Sequence, residues 1–217
     1  MFQCEIGLDR REEAALIASG TTACYRKGDI IFAAGQHAGE LHYIKNGWVN
    51  VFRINDQGRQ VSIGLRYRGE FAGLGSFACS QERGCYGQTM MDSEIVIVSK
   101  EKFNAVLQEV PTISAKLISL LGSRLKDTQN SIVHFISHQT DKRLNSILLN
   151  IARYLGRGEG DRRLIHLKLS QEELAHLVGC SRQTVNALLV ELKSAGCLEM
   201  KGREIVAIWP ERLMSKL

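Results

Sequence analysis

Four polar side chains with the spacing of a base-reading surface stand near the C-terminus: Ser181, Arg182, Gln183 and Asn186, with Thr184 between them. An arginine fork matches the N7 and O6 acceptors of guanine, and a glutamine or asparagine amide matches N6 and N7 of adenine. Ahead of them, Ser170-Gln171-Glu172-Glu173 has the form of a capping box, in which the first and last residues satisfy each other's backbone amides. The helix it opens runs to Val178, Gly179-Cys180 breaks it, and Ser181 caps a second helix running to Lys193. Leu174, Leu177, Val178, Val185, Leu188 and Leu189 are expected to share a core, and the small Ala175 lets the helices cross closely. The pattern is a helix-turn-helix. After Gly196, the runs 197–200 and 204–208 read as two strands joined by Lys201-Gly202-Arg203, a basic hairpin in the place of a wing. Lys201 and Arg203 suit phosphate, whose contacts position a protein on the duplex without reading sequence. Ser170, at the mouth of the first helix, is placed with them.

Other reactive residues are scattered. The six cysteines (Cys4, Cys24, Cys79, Cys85, Cys180, Cys197) contain no CxxC pair and no histidine cluster with zinc spacing, so no metal site is expected. His134 and His138 are four apart, but their heptad positions suit solvated or flanking residues. His37, His42, His166 and His176 read as surface or strand residues. No GxSxG, HExxH or P-loop is present, and Gly69, Gly73 and Gly75 do not make GxGxxG, so an enzyme is not expected.

These groups need elements to hold them. The chain has 217 residues, 44% hydrophobic and 24% charged, which suits one large or two modest domains. With no run of ~18 apolar residues, no secretory signal and no lipidation pattern, a cytoplasmic protein without membrane partners is expected. The net charge of +5 is uneven, because residues 141–217 hold 13 Lys+Arg against 9 Asp+Glu. That balance points weakly to a polyanion. Residues 27–100 contain short β-rich runs (30–32, 41–44, 48–52, 60–65, 94–98) punctuated by turn residues such as Asn46-Gly47 and Asp56-Gln57-Gly58. They predict an all-β barrel or sandwich. Residues 10–19 have helical spacing. From about Thr112 the period changes: Ile118, Leu121, Leu125, Thr128, Ile132 and Phe135 make a heptad seam backed by polar residues, the mark of a two-stranded coiled coil. The alternative for that helix is packing on its own barrel. Leu144 to Leu155 is an amphipathic helix and Leu164 to Leu169 alternates as a strand. The fold class is therefore α+β, with an effector-sensing β domain at 1–111, a dimerisation helix at 112–140 and a winged helix-turn-helix at 141–217.

The order of these parts resembles the CRP/FNR family of bacterial transcription regulators. The stretch LSQEELAHLVGCSRQTVNALLVELKSAGCLEMKGREIVAI is similar to that family's DNA-binding domain, and the glycine pattern of 35–75 to its effector domain, a cyclic-nucleotide-binding-like jelly roll. The resemblance covers nearly the whole chain. It implies a homodimer on palindromic double-stranded DNA, contact with RNA polymerase if the protein activates, and an effector in the β-roll. In the family's pocket a Gly-Glu pair holds the ribose, and an arginine followed by Ser or Thr binds the phosphate. Here Gly69, Glu70, Gly73, Leu74, Arg83, Gly84 and Cys85 fill the matching stretch, with Leu74 in place of the acid and Gly84 in place of the hydroxyl. Thr128, followed by Gln129, matches a position that contacts adenine. Cyclic AMP is therefore not the expected effector. An anionic or aromatic molecule anchored by Arg83, or thiol chemistry at Cys79 and Cys85 with Arg83 lowering a thiol pKa, are the alternatives. Iron–sulfur is unsupported, because the clustered N-terminal cysteines of oxygen-sensing relatives are absent, and haem is unsupported, because His134 and His138 fall at solvated or flanking heptad positions. The rival reading is a ligand-binding regulatory protein that acts through protein partners without DNA contact.

Overall fold

The computed structural model describes residues 6–79, 81–136, 140–158, 160–165, 168–202 and 204–216, with the side chains of 130, 131 and 133–136 outside the description. The chain divides into two compact units, Met1–Asp127 and Thr128–Leu217. In the first, α1 (Arg10–Ser19) is followed by β1 (Thr21–Tyr25), β2 (Ile30–Phe32), β3 (Glu40–Asn46), β4 (Trp48–Ile54), β5 (Gln60–Tyr67) and β6 (Phe71–Ala72). Then come α2 (Leu74–Cys79), β7 (Tyr86–Thr89), β8 (Ser93–Ser99), α3 (Lys100–Glu109) and the start of the long α4 (Thr112–Ile136), whose residues from Thr128 on belong to the second unit. The strands form two four-stranded antiparallel sheets, ordered β1-β8-β3-β6 and β2-β7-β4-β5. This is the β-roll expected from the sequence.

Strand β3 shows how the roll is filled. Leu41, His42, Tyr43 and Ile44 are all buried, without the usual alternation. Leu41 and Tyr43 pack with Leu16, Phe103, Val106 and Ile113 from the helices. Ile44 faces the other way, into a cluster with Ile31, Phe32, Val49 and Val51 of the second sheet. A strand covered on both faces buries every side chain. Asn46-Gly47 is not a hairpin turn, because β3 pairs with β8 and β6 while β4 pairs with β5 and β7. The turn carries the chain from one sheet to the other, with Gly47 at φ 113°.

Helix α1 is tied to α4 by a buried carboxylate. Asp9 caps α1 in a capping box with Glu12. Glu12, 3% exposed, also accepts from the Thr112 hydroxyl at 2.6 Å and from the Lys116 ammonium. Burial alone would raise the Glu12 pKa, but the Lys116, Thr112 and Asp9 hydrogen bonds outweigh it and hold the group at about 2, below its ordinary 4.5. A carboxylate whose folded pKa is depressed contributes stability above its unfolded pKa and loses it as pH falls through the folded value. Glu12→Gln is expected to cost about 2 kcal/mol at pH 7. Chemical denaturation should show that cost shrinking as pH falls from about 5 toward 2.

The second unit holds α5 (Thr140–Leu155), β9 (Gly156–Arg157), β10 (Arg163–Ile165), α6 (Gln171–Val178), α7 (Arg182–Ser194), β11 (Leu198–Lys201), β12 (Glu204–Ile208) and α8 (Pro210–Met214). Its sheet is ordered β11-β12-β10-β9. Leu144, Leu148 and Ile151 of α5 are buried with Leu174, Val185, Leu189, Ile208 and Leu213. Strand β10 pairs Arg163 and Leu164 with β12 and Leu164 and Ile165 with β9, and the next two residues of the alternating run 164–169 lie outside the described residues.

Candidate nucleic-acid interface and effector region

Two caps fix the helix-turn-helix. The Ser170 hydroxyl accepts from Glu173 N–H at 3.1 Å, and the Glu173 carboxylate accepts from Ser170 N–H at 2.7 Å. Helix α6 ends at Gly179 in the left-handed region, φ 75° and ψ 45°, where a Cβ would be strained. The Ser181 hydroxyl then caps α7, accepting from Thr184 N–H at 3.1 Å and pairing with the Thr184 hydroxyl at 2.9 Å. Ser170 and Ser181 thus use acceptor sites of their hydroxyls to build the motif, and Ser181 and Thr184 share one further bond. Leu188, expected in the shared core, is only half-buried.

Arg182 and Gln183 occupy the first turn of α7, exposed and without a hydrogen bond or ion pair among the described residues. With Asn186 and Lys193 they line a cleft of about 390 Å³ whose other walls include Gln171, Val190, Met200 and Gly202. Asn186 is not free for packing-independent contact as its spacing implies: its Oδ1 accepts from Gln171 Nε2 at 2.8 Å. Sequence reading passed over Gln171, Lys193, Val190 and Met200; the 3.6-residue period alone would have put Val190 and Lys193 on the face that carries Arg182 and Asn186. Lys201 is exposed at the end of β11, next to the turn at Gly202, while Arg203 lies outside the described residues.

Helix α4 has two apolar faces. Ile113 and Leu120 are buried against the roll, and Arg124 donates to Phe71 O at 2.8 Å. The seam residues point away from that face: Ile118 is 72% exposed, Leu121 43%, Leu125 61% and Ile132 54%. The side chain of Phe135 lies outside the described residues. The packing alternative therefore describes the face of Ile113 and Leu120, and the seam face stands open. A row of large apolar side chains open to water is the signature of an interaction surface.

The expected effector residues are arranged differently from the sequence expectation. Arg83 is 3% exposed, and its guanidinium donates to Gly73 O at 3.0 Å and to Glu40 O while lying 4.7 Å over the Phe32 ring. It pins the chain before α2 to β3 rather than presenting a free cation. Leu74 is core, and Glu70 is buried with its carboxylate on Tyr67 N–H at 3.3 Å. Gly69 has φ 82°, and Gly84 N–H donates to the Ser76 hydroxyl at 3.3 Å. Thr128 and Gln129 are exposed on α4.

Cys85, next to Gly84 in the pocket stretch, is buried. Burial pushes its pKa up, and the charges of Arg53, Arg83 and Arg66 only partly oppose that. Cys79, at the end of α2, is exposed, and both thiols are free. His42 is buried, not a surface residue: its ring stands 5.2 Å from Phe32, and burial, aided by the Arg83 charge, pushes its pKa down to about 4. His37 and His176 are exposed; His138 and His166 lie outside the described residues, as does the side chain of His134. Among the described residues no group of three or more His, Cys, Asp or Glu is placed to hold a metal ion, and no helix is long and apolar enough to cross a membrane.

With this geometry in hand, comparison with known proteins finds two family models in succession. Residues 23–110 match a cyclic nucleotide-binding domain, and residues 142–215 match a Crp-like helix-turn-helix domain. The chain is 27% identical over 207 residues to a CRP-like cAMP-activated global transcriptional regulator of Mycobacterium tuberculosis, covering 95% of this chain and 92% of that one. It is 27% identical over 186 residues to the cAMP-activated global transcriptional regulator CRP of Salmonella typhimurium, covering 84% and 87%. A solved structure of the c-di-GMP-responsive global regulator CLP of Xanthomonas campestris superposes with a TM-score of 0.72 at 26% identity, covering 92% of this chain and 99% of that one.

Proposed function

Given that the chain belongs to the CRP/FNR family of transcription regulators, we propose that it binds a palindromic operator as a homodimer, under the control of an effector other than cyclic AMP in its β-roll. The observation that carries the DNA reading is the pair Arg182 and Gln183, exposed and unengaged on the first turn of α7, the second of two N-capped helices. The seam Ile118, Leu121, Leu125 and Ile132 supports the dimer, since that face has no partner within the described chain. The two relatives named above are cAMP-activated. This chain departs from the groups that chemistry needs: Leu74 and Gly84 supply neither a carboxylate nor a hydroxyl, and Arg83 is committed to Gly73 and Glu40. The positive charge of Arg53 and Arg66 near Cys85, with Arg53 against Gly84, favours an anion as the ligand. Such a ligand controls the protein only by binding the DNA-competent state more tightly than the other.

The test is selection from a random duplex library with the full chain. An enriched two-fold symmetric site is expected, with affinity falling steeply as salt rises. Arg182→Ala should lower affinity for that site by ~1–3 kcal/mol and relax one position of each half-site. Added cyclic AMP should leave the affinity unchanged. A chain that binds every duplex alike, or none, would overturn the reading in favour of a regulator acting through protein partners.

A further inference from the structure

We infer that Gln171 is a specificity-positioning residue: by holding the Asn186 amide it decides which base edge Asn186 reads. The inference rests on the DNA-binding reading above and takes it one step further. Gln171 is the first residue of α6 and is 9% exposed; Asn186 is exposed on α7. Their amides meet at 2.8 Å, Gln171 Nε2 donating to Asn186 Oδ1. Both line the cleft that holds Arg182 and Gln183. The capping box fixes the turn that carries Gln171, so the donor is held by a rigid element and not by a loop.

The consequence is chemical polarity. An asparagine amide has one acceptor oxygen and one donor nitrogen. With its oxygen turned to Gln171, Asn186 presents Nδ2, a donor, to the groove. Adenine is then a poor match, because the bidentate adenine contact needs an acceptor for N6–H as well as a donor for N7. Guanine, with acceptors at N7 and O6, and thymine, with O4, are the edges a donor-only asparagine favours. The Ser181 and Thr184 hydroxyls share one hydrogen bond at the cap, so Arg182, Gln183 and this polarised Asn186 are the side-chain amide and guanidinium groups left to read base edges.

The experiment is library selection with the full-length chain and four variants, scored position by position. Asn186→Ala identifies the position Asn186 reads by flattening its preference. At that position the unsubstituted chain should favour guanine or thymine by roughly 10-fold over adenine or cytosine. Gln171→Ala should flatten the same position. Gln171→Glu is the decisive variant: a carboxylate only accepts, so Asn186 must turn Nδ2 toward it and offer Oδ1 to the groove. Preference should then invert toward adenine or cytosine, whose N6 and N4 donate. Asn186→Asp, which keeps the Gln171 bond and presents a second acceptor, should produce the same inversion without altering Gln171. The inference is overturned if the Gln171 variants weaken every sequence by one common factor, as a phosphate contact or a merely structural role would. It is overturned equally if the unsubstituted chain favours adenine at that position. Failure of the underlying DNA reading would look different: the unsubstituted chain itself would then select no sequence.

Discussion

Leu125→Glu should divide the protein into monomers and lower its affinity for a two-half-site operator by about 10²–10⁴-fold. Leu125 is 61% exposed, with Leu121 at 43% and Ile132 at 54% along the same face of α4. In a seam formed by two copies, each such residue is a knob in the other helix, and a carboxylate there is buried against its own symmetry mate. The effect on DNA does not come from lost contacts. Two tethered readers bind the second half-site as an intramolecular step, and separated readers do not. Native mass and duplex titration check both halves: mass should fall to the monomer, affinity for the full operator should fall, and affinity for an isolated half-site should hold. Because the residue is exposed within each chain, the unfolding temperature of the monomer should stay close to that of an unsubstituted chain diluted to monomer. A variant that remained dimeric would remove the seam from the account.

The second large effect lies in the fold. Gly47→Ala is expected to destabilise the β-roll by about 4 kcal/mol, combining left-handed backbone strain with steric overlap. Gly47 has φ 113°, and an added Cβ would overlap the Ser93 hydroxyl and stand 2.5 Å from Ser93 Cβ and 2.8 Å from its Cα. Ser93 has no room to retreat: it is buried, and its hydroxyl donates to Met91 O at 2.7 Å. Turning the side chain relieves only the hydroxyl, since the backbone contact persists. Denaturant unfolding measures the loss, and adding Ser93→Gly should recover part of it by removing the Cβ and hydroxyl while leaving the backbone strain. A Gly47→Ala protein within about 1 kcal/mol of the original would show that the turn can relax away the strain.

What was readable from the sequence follows the range of the forces involved. Ser170, Glu173, Gly179 and Ser181 act within four residues of themselves, so both helices of the helix-turn-helix could be placed by their caps and breaks. The seam on α4 was equally local, though its buried opposite face was not, since Ile113 and Leu120 acquire their role only from the roll they touch. Strands β6 and β7 escaped because their pairings are distant: Phe71 lies against Tyr43, and Ile30 against Gln88. The consecutive burial of Leu41 to Ile44 breaks the alternation that marks a half-exposed strand. The effector region was the least legible part. Nothing in the string around Arg83 says that its guanidinium is spent on the carbonyls of Gly73 and Glu40, residues 10 and 43 positions away. The Gln171–Asn186 bond, spanning 15 positions, was hidden for the same reason.

The pairing of β1 with β8, which sets Thr21 opposite Ile97, also determines when the protein can finish its first domain. Strand β1 leaves the ribosome early and has no ladder to join until β8 follows it. At ~5–20 residues per second the delay is roughly 4–15 s, long compared with the closing of a local hairpin such as β4–β5. For that interval the hydrogen-bonding groups of β1 are open to any passing strand. The winged motif has no such wait, because its two helices are contiguous in the chain and capped from within. The nascent chain is therefore most vulnerable at its beginning, and slower translation across residues 26–92 should raise aggregation more than the same slowing across residues 141–217.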